Sequence, residues 1–225
     1  VINERRNRLH EVVRLSGINI SVGSEEKPLT IKVASIPNAR LQVYFLDNDD
    51  YFKRRAVLAN AKSRKFFDDN ADRTVFFCKG ALETVKKLGW SPDIVHCHGW
   101  MTALIPLYLK THYAEDPIFV NSKSVYTMYN HQVDFPMPDN FADMASYGSE
   151  GELLKPYDTG SYRGFVQGAL KTADRVARGH QQADAGVEEY IKSEGIDVPY
   201  DKPEPNVEAY VDFYDQIYQD LLKTD

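Results

Sequence analysis

From residue 72 to residue 194 the chain alternates between two hydrophobic periods, and this alternation limits the fold more than any other feature. Over 72–88, Val75, Phe76, Ala81, Leu82, Val85 and Leu88 recur at the helical period, and Gly89 follows as a C-cap. The short run "DIVHCH" then reads as a strand, "MTALIPLYLKTHY" as a helix just behind it, and "KSVYTMYN" (123–130) as a second strand. A helix over 162–173, a short strand in "ADRVARG" and a helix over 183–194 ended by Gly195 continue the series. Helices and strands in strict alternation predict an open, mostly parallel Rossmann-like α/β sheet with helices on both faces.

Around this core the sequence predicts simpler pieces. "PLTIKVASIPNARLQVYFLD" alternates apolar and polar residues on both sides of "IPNAR", which predicts a β-hairpin turning near Pro37 and Asn38. Residues 3–15 read as a short helix or arm stopped by Gly17, and 47–72 as polar surface loop anchored by Tyr51, Phe52, Phe66 and Phe67. Residues 132–160 read as loop, and after a Pro-rich link "VEAYVDFYDQIYQDLL" reads as a terminal amphipathic helix. The expected organisation is a domain over 1–198 followed by a linker and helix over 199–225.

Charge and composition narrow the partners. With a net charge of −6 and no basic stripe, nothing attracts a nucleic-acid backbone. No apolar run approaches the roughly 18 residues of a membrane span and no secretory leader pattern opens the chain, so a soluble, cytoplasmic protein is expected. Cys78 and Cys97 form no CxxC pair and read as small buried hydrophobes.

His96 and His98 stand two residues apart at the carboxyl end of their strand, so they share one face. In open α/β sheets that end is where ligands bind. Three readings fit the pair: packing against neighbouring backbone, two ligands of a metal that needs a third, or a pocket in which neutral imidazole binds a hydroxyl-rich substrate. Gly99 lets backbone approach a ligand, and Trp100 begins the following helix.

"DIVHCHGWMTALIPLYLK" resembles the strand-and-helix motif of bacterial glycogen synthases and plant starch synthases, D-hydrophobic-hydrophobic-H-x-H-D-W-x-T/A-A-L-x-P-x-Y-L. "VYFLDNDDYFKR", "FFCKGALETVKKLGWSPDIVH", "YTMYN" in the place of T-I-H-N, and "YRGFVQGALKTADRV" agree in order and spacing, so the resemblance covers most of residues 1–176. It is closest to short glycogen-synthase-like proteins that carry only the catalytic N-domain. The resemblance implies the N-terminal half of a GT-B glucosyltransferase that moves glucose from ADP-glucose to an α-1,4-glucan, with no metal and no cofactor. The same resemblance implies His98 as the catalytic residue, matching the histidine that bonds the transferred sugar, and His96, Gly99, Trp100 and Asn130 as the substrate-binding set.

The chain also departs from the family's patterns. Gly99 stands in place of Asp, Tyr129 in place of His, and "VARGHQQ" in place of V-T-T-V-S-P-T-Y. The family's first strand and its Lys-x-Gly-Gly-Leu loop would lie before residue 1, and the residues after Ala173 are too few for a second Rossmann domain. The expectation is therefore a synthase domain with little activity alone, served by a C-terminal domain that a separate chain could supply. The alternative is a non-catalytic α-glucan-binding or regulatory module on the same fold. Tyr51, Phe52, Tyr126 and Tyr147 are candidates for stacking on glucan, with a place in the core or as a loop anchor the expected alternative for each.

Overall fold

The computed structural model describes residues 10–11, 15–36, 41–54, 56–130, 137–200 and 207–223. The chain divides after Gly89 into two compact units.

The first unit is an antiparallel sheet with one long helix. Its strands are β1 (His10–Glu11), β2 (Ile18–Val22), β3 (Glu25–Ile36) and β4 (Leu41–Asp47). β3 bonds β2 through residues 25–29 and β4 through 30–36, and β1 lines its other edge with His10 opposite Val33. The expected hairpin strands are present, while the turn at Pro37 and Asn38 lies outside the described residues. β2 was not legible as a strand because Pro28 interrupts its partner's pattern; the pair is joined through Gly23, whose φ of 59° suits a two-residue hairpin turn. Of the arm expected over 3–15, His10 and Glu11 are strand, and 3–9 and 12–14 lie outside the described residues.

The segment expected as loop over 47–72 begins with a helical turn, α1 (Asp49–Phe52). Asn48 caps it, its side-chain oxygen accepting from the N–H groups of Asp50 at 3.0 Å and Tyr51 at 3.2 Å. Four residues are too few to show a period, so only the cap could have signalled it. α2 (Asn70–Leu88) ends where Gly89 adopts φ 66° and donates to the Lys86 carbonyl. It buries Val75, Phe76, Cys78 and Leu82, each at 2 % exposure or less, on the side that meets β2 and β3. Tyr51 is also buried, edge-on to Phe76 at 5.3 Å.

The second unit holds the parallel sheet. β5 (Ile94–His98), β6 (Lys123–Met128) and β7 (Arg175–Arg178) pair in that order, with His98 beside Thr127 and Met128 beside Arg178. A 3-10 turn (Trp100–Thr102) and α3 (Ile105–Lys110) follow β5, so the expected helix starts later and ends sooner than its apolar pattern. Pro106 accounts for the start, since proline lacks an N–H and is tolerated only in a helix's first turn. The region expected as loop over 132–160 contains α4 (Phe141–Ala145) and a 3-10 stretch (Gly151–Thr159). α5 (Tyr162–Thr172) leads into β7, α6 (Ala185–Glu194) ends at Gly195, and α7 (Val207–Leu222) is the terminal helix.

The core under α3 and α5 is closely packed. Tyr157 is fully buried and donates to the Ala103 carbonyl at 2.9 Å, and a Cβ at Gly168 would fall 2.2 Å from its ring. Asp174 ties β7 to β6 and α3. Its carboxylate accepts from the Ser124 N–H and hydroxyl, both at 2.7 Å, and pairs with Lys110 at 3.2 Å. Burial alone would raise the pKa of this group, but these donors outweigh burial and hold it below the usual carboxylate range.

Candidate functional site

β5 and β6 end side by side and place their polar residues on one face. The strand period sends His96 and His98 the same way, and their rings lie 3.9 Å apart between centroids at 31°. Thr127 reaches the same face, and its hydroxyl meets His96 Nε2 at 2.8 Å. Tyr129 follows two residues later, with its hydroxyl 3.0 Å from His98 Nδ1.

α7 closes one side of this cluster. Tyr218 places its hydroxyl 2.5 Å from His96 Nδ1, and the Tyr214 ring lies 4.9 Å from His96 and 6.3 Å from His98. Thr127 donates to the Tyr214 hydroxyl at 3.2 Å. Both nitrogens of His96 are thus used within the chain, whereas His98 is exposed and bonds through Nδ1 to Tyr129. Burial, and then the neighbouring His98, pull the His96 pKa down to about 3, and desolvation by the His96, Tyr129 and Tyr214 rings around it lowers that of His98, although its outer edge faces solvent. Both rings are neutral at pH 7, so neither brings a fixed positive charge to the sheet edge.

Gly99 turns the chain out of β5 at φ 74° and ψ 178°, a conformation open essentially to glycine alone. Its N–H donates to the Thr127 carbonyl at 2.9 Å, and its carbonyl accepts from the Thr102 N–H and hydroxyl. Trp100 is 5 % exposed with its ring edge-on to Phe165, so that side chain lies in the core beneath the site. Asn130 continues from Tyr129, and its side-chain oxygen is buried with no hydrogen-bond partner among the described residues. A buried acceptor of this kind is costly unless a ligand or water bonds it. His98 and Tyr129 therefore meet where β5 and β6 end, with the His96 ring against His98, Gly99 bonded to Thr127, Asn130 next in the chain after Tyr129, and the Trp100 ring in the core.

Tyr129, Thr127, Tyr214 and Tyr218 were not picked out as site residues in the sequence. Thr127 and Tyr129 share a strand period that could have been read in "YTMYN", but nothing in the helical stripe of α7 says which face it covers. Of the stacking candidates, Tyr51 and Tyr126 are buried at 4 % and 0 % exposure, Tyr147 is stacked on His112 at 3.8 Å, and Phe52 is half-buried with the Arg73 guanidinium 5.4 Å from its ring centroid. No three His, Cys, Asp or Glu side chains come together as a metal site among the described residues, and no described helix is long and apolar enough to cross a membrane.

Comparison with known proteins gives concordant results. The family described as starch synthase catalytic domain matches residues 1–180. A glycogen synthase of Pelodictyon phaeoclathratiforme is 44% identical over 129 residues, 57% of this chain and 26% of that protein. One from Chlorobium chlorochromatii is 42% identical over 139 residues, 61% of this chain and 28% of that protein. The chain thus spans about a quarter of the length of these relatives. A solved structure, the catalytic domain of Starch Synthase IV from Arabidopsis thaliana bound to ADP and acarbose, superposes with a TM-score of 0.59 at 18% identity. It covers 83% of this chain and 38% of that one, and supports the mixed α/β fold with a three-stranded parallel sheet flanked by helices. With the match running through both histidines, Gly99 and Asn130, the chain belongs to the starch synthase catalytic domain family.

Proposed function

We propose that residues 1–225 form the acceptor-side half of a glycogen synthase-type glucosyltransferase, which transfers glucose from ADP-glucose to an α-1,4-glucan. One observation carries this reading. At the carboxyl edge of β5 and β6 an exposed neutral histidine, His98, bonds the Tyr129 hydroxyl, and the next residue after Tyr129, Asn130, holds a buried carboxamide oxygen without a partner among the described residues. Hydroxyl-rich sugars satisfy such a mixture of polar groups, and neutral imidazole binds hydroxyls without the desolvation cost of an ion. The relatives are named glycogen synthases, and the solved neighbour was bound to ADP and acarbose, which agrees with a nucleotide and a glucan meeting on this fold.

Transfer to a glucan also needs positive charge aimed at the departing diphosphate and a second wall to position donor against acceptor. The histidines are neutral, so they do not supply that charge. These residues accordingly act with a nucleotide-binding domain, on the same polypeptide or on a partner chain, and are close to inactive alone. A second reading, an α-glucan-binding module without catalysis, draws on the same neutrality. A transfer assay with labelled ADP-glucose and maltoheptaose, run on the native polypeptide that contains these residues, separates the two. Labelled glucan lengthening above background supports the synthase reading. Binding of maltoheptaose with no transfer supports the module, and binding of neither ligand refutes both.

A further inference from the structure

The hydrogen-bond chain around the two histidines has one consistent direction. Thr127 gives its single hydroxyl hydrogen to Tyr214 at 3.2 Å, so at 2.8 Å it accepts from His96 Nε2–H. His96 Nδ1 is then bare and accepts from the Tyr218 hydroxyl at 2.5 Å. Every polar atom of His96 is satisfied, and the residue serves as a fixed platform beneath the His98 ring, 3.9 Å away.

Among the described residues His98 makes one side-chain hydrogen bond, to the Tyr129 hydroxyl at 3.0 Å from Nδ1. A phenol is a stronger hydrogen-bond donor than a neutral imidazole N–H, and the bare imidazole nitrogen is the stronger acceptor, so the hydrogen lies on the oxygen and points at Nδ1. We propose that Tyr129 is a positioning residue for His98: it donates to Nδ1, fixes the Nε2–H tautomer, and so presents an N–H donor at the open edge of the sheet. The other nitrogen of a histidine is set by the bond that the first one makes. The tautomer decides what the site can take. An Nε2–H bonds a sugar oxygen or a phosphate oxygen, whereas a bare Nε2 would bond only a group that brings its own hydrogen.

The tyrosine is built into its place. Tyr162 donates to the Tyr129 carbonyl, and the Gly179 N–H donates to the Met128 carbonyl at 2.9 Å. A Cβ at Gly179 would lie 2.2 Å from Tyr129 Cε1 and 2.7 Å from Cζ, so the ring occupies space that only a glycine leaves. Tyr129 and the glycine in "VARGHQQ" both depart from the family patterns quoted above, and in this chain the two are packed against each other. Tyr129 therefore does not remove a polar group from the site but substitutes a hydroxyl bonded to His98. The value of this arrangement for sugar binding rests on the proposed function, while the tautomer itself does not.

The test is a long-range proton–nitrogen correlation spectrum of the histidine rings in the free protein, with His98 assigned by loss of its signals in His98→Gln. The expected spectrum shows His98 Nε2 protonated and Nδ1 bare. In Tyr129→Phe the signals move toward a mixture of both tautomers, and Gly179→Ala, which pushes the ring aside, gives the same shift while His96 stays unchanged. A wild-type spectrum with Nδ1 protonated overturns the proposal without recourse to either variant. Unchanged His98 signals in a folded Tyr129→Phe also overturn it. No ligand is needed, so a failure here is distinct from a failure of the sugar-binding reading.

Discussion

Lowering the pH from 7 to 4.5 is expected to remove about 2–3 kcal/mol of folding stability through His96 alone. The sign follows from where the proton goes. In the unfolded chain His96 titrates near its ordinary value of 6.5, and in the folded state its pKa is about 3. The unfolded state thus binds the extra proton between these limits, so the stabilisation is complete above pH 6.5 and is lost as the pH falls toward 3. The groups that face the ring are polar and neutral: Thr127 on β6, Tyr214 and Tyr218 on α7, and His98 beside it, which would repel a second positive charge. Urea denaturation at pH 7 and pH 4.5, with wild type and His96→Gln compared, reads the effect. The variant is expected to lose markedly less stability than wild type over this interval, and an equal loss in both would show that His96 titrates normally in the folded chain.

Returning the family's aspartate to position 99 is expected to harm this chain. Gly99 has φ 74° with ψ 178°, and side-chain-bearing residues held there cost about 1–3 kcal/mol. Gly99 is also buried, and it anchors the strand end through the Thr127 carbonyl and Thr102, so the backbone cannot relax without loosening both bonds. Gly99→Asp should therefore lower the melting temperature by roughly 4–8 °C for a loss of about 2 kcal/mol in a unit of this size. Gly99→Ala should bring most of the same loss, because the backbone rather than the charge is the cause. A Gly99→Asp protein as stable as wild type would mean that the strand ends in another conformation.

Much of the second unit was legible in the sequence because its signals are local. The strands at 94–98, 123–128 and 175–178 and the helices at 162–172 and 185–194 each carry a clear period and a stop signal, such as the left-handed Gly195. The first unit was less legible. β2 is five residues beside a proline-bearing partner, and α1 is a single turn, so neither is long enough for a period to stand out. The site was legible to the extent that strand period and family resemblance reach. His96 and His98 share a face as their spacing predicts, but the spacing that put Trp100 next to them could not show that its ring turns into the core against Phe165. The hydroxyls that order the two histidines come from residues 31 and 122 positions away along the chain, and no local pattern encodes such contacts.

The account centres on a sugar bound at the carboxyl edge of β5 and β6 through His98. The most direct measurement is calorimetric titration of maltoheptaose into the native protein and into His98→Ala, with thermal melts confirming that both are folded. Loss of one hydrogen bond of about 1.5 kcal/mol to a bound sugar predicts at least tenfold weaker binding in the variant. Equal affinity in the two proteins would place the sugar elsewhere and contradict the account.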